Sequence, residues 1–298
     1  MGLCYPPRGQ GNGEKLENSK GRVMRAITVR PMIGMLANLG ALRHRAALVG
    51  TFVKRDIHGR YKGSVMGLFW SVIHPLIMLF LFTFVFSVIM KIKVGLDEGT
   101  GSFTLYLLCG MLPWNAFQEG LNRSAGVILE NAGLIKRTVF PSEILPVYLV
   151  VSGIVNELIG LSILFLALLV TAHPFSPVLL LLPAVLLLQF LFTAGLSWML
   201  AGINVFIRDV GQMLGLILTL WVFLTPIYYP PSLLPQGLRF LLVLNPMAGL
   251  VDAYRALILR GQMPNPNSLM VLTLCSILAF AGGYAMFRKM QRAFADVI

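Results

Sequence analysis

Apolar side chains come in long unbroken runs, not in the alternation of a half-buried strand or the half-polar stripe of a soluble helix. A helix needs about 20 predominantly apolar residues to cross a bilayer. Six runs meet or approach that length: 66–90, 103–121, 144–171, 178–206, 210–225 and 269–287. The first has His74 as its only titratable residue, the second holds Pro113 and Glu119, the third holds Glu157, and the fourth carries no charge. The fifth is short and stops at Pro226. Segment 233–259 has intermediate hydropathy, and Asn245-Pro246 divides it into halves too short to span. The pattern predicts an all-α integral membrane protein with six transmembrane helices. Non-helical backbone at membrane depth needs protein or a water-filled cavity around it. The broken segment after Thr225-Pro226-Ile227-Tyr228-Tyr229 is therefore either a re-entrant pair beside a pathway or two helices lying on the outer leaflet.

Before the first run the period changes. Leu48, Val49, Phe52, Val53, Ile57 and Tyr61 recur at helical spacing. Arg45, Lys54, Arg55, His58 and Lys62 lie on or beside the other face. This predicts an amphipathic helix over 45–62 in the headgroup plane, with its cations toward phosphates. It serves either as an anchor for the first span or as a receiver for an anionic, lipid-linked substrate at Arg55, Arg60 and Lys62, since guanidinium and ammonium groups suit a pyrophosphate. Residues 1–44 read as a loosely held tail without a signal peptide's apolar centre, with Met24 or Met32 as alternative starts. The transmembrane domain runs from 45 to 290, and 291–298 is a short second tail.

Composition agrees with this pattern. Apolar residues make up 57% of the chain, charged residues 12%, and the mean hydropathy is +0.79, which together exclude a soluble enzyme or a disordered scaffold. The net charge of +12 would suit nucleic acid, but its distribution assigns it to the membrane. With both termini inside, 19 Lys and Arg fall on inner segments and 5 on outer ones, the bias expected of cytoplasmic loops. The three cysteines, Cys4, Cys109 and Cys275, are too scattered for a disulfide framework or a zinc site. No P-loop, HExxH or GxSxG motif occurs, so no metal, cofactor or catalytic residue is expected on this chain.

Inner segment 130–146 has a short Leu134-Ile135-Lys136-Arg137 turn between Asn131 and Pro141. It is a bare connector or, favoured by that turn, a docking element for a cytoplasmic partner. Arg208-Asp209 marks the next inner turn, where one Arg at a span end often simply snorkels. An ionised carboxylate at a helix centre costs about 2.5–3.5 kcal/mol on insertion scales. Glu157 is therefore a lining residue or the partner of a polar neighbour such as Asn156, and Glu119 is either that or interfacial. Aromatics such as Phe69, Trp70, Trp114, Phe117 and Tyr228 read as belt or core residues, with a minority facing a lumen where sugar rings could stack. Asp97-Glu98 is a solvated turn or, less simply, the acid pair of a membrane glycosyltransferase.

Taken together, these segments resemble the permease subunit of ABC-2 type exporters, in the branch that exports lipid-linked O-antigen, capsular and teichoic-acid polysaccharides. The resemblance rests on Arg55-Asp56-Ile57-His58-Gly59-Arg60-Tyr61-Lys62, Gly67-Leu68-Phe69-Trp70, Gly110-Met111-Leu112-Pro113-Trp114, and Asn131 to Arg137 with Phe140-Pro141. It continues through Asn204 to Asp209, Thr225 to Tyr228, and Asn245-Pro246 to Tyr254-Arg255, covering roughly 45–290. It implies a dimer of two copies with a channel between them, and two ATP-binding cassette subunits that carry ATP and Mg. It implies that Asn131, Leu134, Ile135, Lys136, Arg137, Arg208 and Asp209 couple to those subunits. It also implies outer gate helices with Pro226, Tyr229, Asn245, Pro246 and Arg255, and a channel lined by Phe69, Trp70, Trp114, Phe117, Glu157 and Tyr228. The expected setting is the bacterial inner membrane, crossed several times, with both termini cytoplasmic, membrane lipids around it and no nucleic acid. Alternatives are export of a drug or small lipid, or a membrane enzyme acting on polyprenyl-linked sugars.

Overall fold

The computed structural model describes residues 43, 45–60, scattered positions between 70 and 89, 103–137, 140–172 and 174–297. Among them every regular element is helical. A helix over 45–60 (α1) comes first. The described positions of the first expected span are helical and end in a π-turn, Phe84–Ile89. Then follow α2 (Phe103–Glu130), the short α3 (Ala132–Arg137) and α4 (Ile144–Val170). A 3-10 turn leads into α5 (Leu182–Phe206), followed by α6 (Asp209–Leu224). The remaining helices are α7 (Arg239–Leu244), α8 (Pro246–Arg255), α9 (Pro266–Met290) and the terminal turn α10 (Phe294–Val297). Lys62, Phe69 and Asp97-Glu98 lie outside the described residues. Residues 49–298 form one unit by chain packing, and 1–48 form the other.

Three described helices are long and apolar enough to cross a membrane: Ile144–Val170, Pro177–Phe206 and Pro266–Ala293. Asp209–Leu224 is apolar but shorter. Helix α2 continues nine residues past the expected end at 121: Arg123 is held by ion pairs with Glu119 and Asp56, and Ala125, Val127 and Ile128 beyond it are buried. Its Pro113 has no N–H to offer the preceding turn. At the same residue, the Pro113 carbonyl accepts from Gln189 Nε2 of α5 at 3.3 Å.

The core is α2 packed on α4 and α5, with α9 against α5. Bilayer helices gain little from burying apolar surface against one another, so small residues that let backbones approach become decisive. Gly195 of α5 lies against the backbone of Ala279 in α9, and Gly283 of α9 lies against the Gly195 carbonyl. A Cβ at either glycine would collide with main chain that cannot yield. Larger side chains fill the rest: Trp114, Phe117 and Tyr254 in one cluster, and Ile128, Leu145 and Phe287 in another.

Alternation of the long helices gives the bundle two ends. At one end, Trp198 Nε1 donates to the Glu143 carbonyl at 2.9 Å, Phe206 packs on Phe294, and Arg288 approaches Glu143 at 3.9 Å. That end carries α3 and the turn from Asn204 to Asp209. The opposite end carries the 225–229 turn, α7 and the start of α8.

Candidate functional site

Helix α1 is docked on protein. The stripe expected to enter lipid packs instead on α2 and α4: Val53 is buried, and Val49, Phe52 and Ile57 lie against a cluster containing Val127, Leu145 and Tyr148. The Phe52 ring centroid is 5.2 Å from Tyr148 and 5.7 Å from Phe140. The cause is a charged lock set between these apolar positions. Arg60 donates to Asp56 Oδ2 at 2.9 Å, forms an ion pair with Glu119, and reaches Ser152 Oγ at 3.1 Å. Ser152 donates in turn to Asp56, and Arg123 forks onto both Asp56 oxygens while lying 3.3 Å from Glu119. Two cations and two carboxylates close on one another.

Burial alone would raise the Asp56 pKa. Hydrogen bonds from Arg123, Ser152 and Arg60 outweigh it and hold the carboxyl well below the usual range. Beside the lock is an open cavity of about 410 Å³ lined by Phe52, Arg55, Asp56, Arg60, Arg123 and Tyr148. Of the expected capture residues, Arg60 is engaged in the lock. Arg55 lines the cavity with its guanidinium 4.6 Å from the Phe52 ring centroid.

The expected lining residues divide. Trp114, Phe117 and Glu157 are buried inside this single chain, Tyr228 is partly buried, and Trp70 is 42% exposed. Phe117 stacks on Phe192 and meets Trp221 edge-on. Glu157 is bonded to residues remote in sequence rather than to its neighbour Asn156. Gln189 Nε2 donates to its Oε2 at 2.7 Å, and Tyr254 donates its hydroxyl to Glu157 Oε1 (2.7 Å) or Gln189 Oε1 (2.6 Å). This network joins α4, α5 and α8 beside the proline of α2.

Near the other end, Arg255 spends its N–H donors on neutral oxygens. They reach the Pro226 carbonyl (2.6 Å), the Ile227 carbonyl (3.0 Å), the Tyr106 carbonyl (3.4 Å) and the Tyr106 hydroxyl (2.8 Å). Its guanidinium carbon lies 3.5 Å from the Tyr106 ring centroid. Asn245 caps α8 by accepting from Met247 N–H at 3.0 Å, with Pro246 in the first helical turn. The same side chain accepts from Trp221 Nε1 (2.9 Å) and donates to Thr225 Oγ1 (3.0 Å). Tyr229 donates to the Phe223 carbonyl at 2.8 Å. Pro226, Tyr229, Asn245 and Arg255 thus belong to one hydrogen-bonded assembly that ties α2, α6 and α8 together at that end.

At the α3 end, Asn131 Nδ2 bonds the Val127 carbonyl at 2.8 Å and turns the chain out of α2. Ile135 packs into the body, Leu134 is half-buried, and Lys136 is exposed. For Arg137 the structure describes the backbone, which ends α3. Arg208 and Asp209 are exposed, on a turn held by Gly211 N–H donating to Asn204 Oδ1 at 3.0 Å. Among the described residues no cluster of His, Cys, Asp or Glu could hold a metal ion. Sequence reasoning singled out neither Gln189 nor Ser152, because one polar residue in an apolar run shows its partner only after folding.

Residues 47–259 match the family described as ABC-2 type transporter. The chain is 29% identical over 260 residues to an O-antigen export system permease protein of Myxococcus xanthus, covering 86% of this chain and 96% of that one. It is 28% identical over 265 residues to the O-antigen export system permease protein of Klebsiella pneumoniae, covering 89% and 98%. It is 24% identical over 244 residues to a polysialic acid transport protein of Escherichia coli, covering 80% and 92%. With a match over most of its length and three helices fit to cross a bilayer, this chain belongs to the ABC-2 type transporter family of membrane proteins.

Proposed function

We propose that the chain is the permease subunit of an ATP-driven exporter that moves a lipid-linked polysaccharide, O-antigen-like or capsule-like, across the bacterial inner membrane. The observation that carries this reading is the nearly end-to-end likeness to O-antigen export permeases, which spans 96–98% of two of them. Two copies would enclose the path. Helix α6 supports that arrangement, since it leaves Met213, Leu216, Ile217, Leu220 and Phe223 exposed along one side. Two separate ATP-binding subunits, carrying ATP and Mg, would seat on the end that presents Lys136, Arg208 and Asp209. The fixed anchor of that contact is Ile135, through which a push on α3 passes into α1, α2 and α4. Both termini would then be cytoplasmic, six spans would cross the membrane, and α7 with α8 would form the outer gate.

Headgroup capture falls to Arg55 at the 410 Å³ cavity, with Lys62 following in sequence and Arg60 holding the wall. The glycan would pass aromatic rings such as Trp70 and Tyr228 between the two copies. The test is a strain lacking this gene. Surface polysaccharide should vanish while its lipid-linked form accumulates inside, and the wild-type gene should restore export where Arg55→Glu fails. Normal surface glycan in the deletion strain would refute the reading.

A further inference from the structure

The inner end of α9 carries a basic concavity that the export reading leaves unused. Arg288, Lys289 and Arg292, with Ala285 and Gln291, line an open space of about 650 Å³. No acid is among these residues. Among the described side chains, Glu143 sits at the edge, 3.9 Å from Arg288 Nη1, and accepts from Gln291 Nε2 at 3.4 Å. It fixes the rim while Lys289 and Arg292 stay exposed. The C-terminal dipole of α9 offsets only about half a charge of the three.

The three cations continue an apolar line. Met270, Leu274, Ile277 and Leu278 are all more than half exposed, and Ala281, Gly282 and Ala285 extend the same face at helical spacing down to Arg288. Just above the charges the face is shallow, since a Cβ added at Gly282 would meet nothing within 4 Å. An exposed apolar helix face ending in a concavity of clustered cations complements a molecule with a hydrocarbon tail and an anionic head. A second copy related by a two-fold axis through this face would bring the same three cations against each other, so self-association is the wrong occupant. Free phosphate would satisfy the cations and leave the apolar face uncovered.

We propose that the inner end of α9 is a binding site for an anionic phospholipid, with its phosphate among Arg288, Lys289 and Arg292 and an acyl chain along Ala281–Gly282–Ala285. The site stands whether or not the chain exports polysaccharide, and its test does not involve transport. Full-length protein in neutral detergent is titrated with phosphatidylglycerol, phosphatidylcholine or inorganic phosphate, and retained lipid is counted by native mass spectrometry. Wild type should retain phosphatidylglycerol in preference to phosphatidylcholine, and inorganic phosphate should compete poorly. The triple variant Arg288→Gln, Lys289→Gln, Arg292→Gln should lose at least about tenfold in phosphatidylglycerol affinity. Ala285→Trp keeps every charge and fills part of the concavity from an exposed position, so it should also lower retention while leaving the unfolding temperature unchanged. Wild-type affinity in the triple variant, wild-type affinity in Ala285→Trp, or displacement by inorganic phosphate as effective as by phosphatidylglycerol itself would each overturn the proposal.

Discussion

Arg255 carries a full charge inside an apolar bundle with carbonyls and an aromatic face as its partners, while Asp252 three residues earlier pairs with Arg260. Guanidinium suits this task because it spreads its charge and offers five donors in a rigid fork. An ammonium is a compact point with three donors and cannot bridge Tyr106, Pro226 and Ile227 together. Arg255→Lys should therefore lose about 2 kcal/mol or more, read as a lower unfolding temperature in detergent. An unchanged temperature would show that the fork does not hold the 225–229 turn. Asp56 makes a second prediction through pH. Its folded-state pKa is depressed, so its contribution is fully present above the ordinary carboxylate value of about 4 and is lost as pH falls through the depressed value. Asp56→Asn should be less stable than wild type at neutral pH, and the gap should narrow under acid. A gap constant with pH would mean that the lock is not ionic.

Helix α3 divides its labour by side chain. Ile135 grips the body and Lys136 is exposed, so a charge placed at 135 should disturb the fold, whereas one at 136 should spare the fold and weaken the proposed contact. Lys136→Glu should leave the purified permease as stable as wild type and reduce co-purification of the ATP-binding subunit severalfold. Equal recovery would remove α3 from the contact. Much at this scale was legible in the sequence. The spans near 144–171, 178–206 and 269–287 are written in unbroken apolar runs, and Asn245-Pro246 marks the break between two short helices, where the structure adds that Asn245 caps the second. The setting of α1 was not legible. Its stripe looked like a lipid-facing surface because Asp56 and Arg60 gain their meaning from Glu119, Arg123 and Ser152, some 60 to 100 positions away. The Glu157–Gln189–Tyr254 network was hidden for the same reason. Hydropathy reports burial and says nothing about which distant polar group answers a buried one.

For the molecule as a whole, the two ends of the bundle have different characters. One presents exposed Lys136, Arg208 and Asp209 around the Trp198–Glu143 anchor, and the other is laced together by Arg255 and Asn245. Between them Glu157, Gln189 and Tyr254 cross-link α4, α5 and α8 beside Pro113 of α2. Force delivered at the α3 end would thus travel through rigid, hydrogen-bonded contacts to the other end, which suits a permease driven from outside itself. The most direct measurement reconstitutes the full chain in sealed vesicles with lipid-linked polysaccharide, alone and together with its ATP-binding subunit. Translocation should require the second subunit and ATP hydrolysis, and the permease alone should neither move the glycan against a gradient nor alter it covalently. Uphill movement or covalent change by the chain on its own would contradict the account.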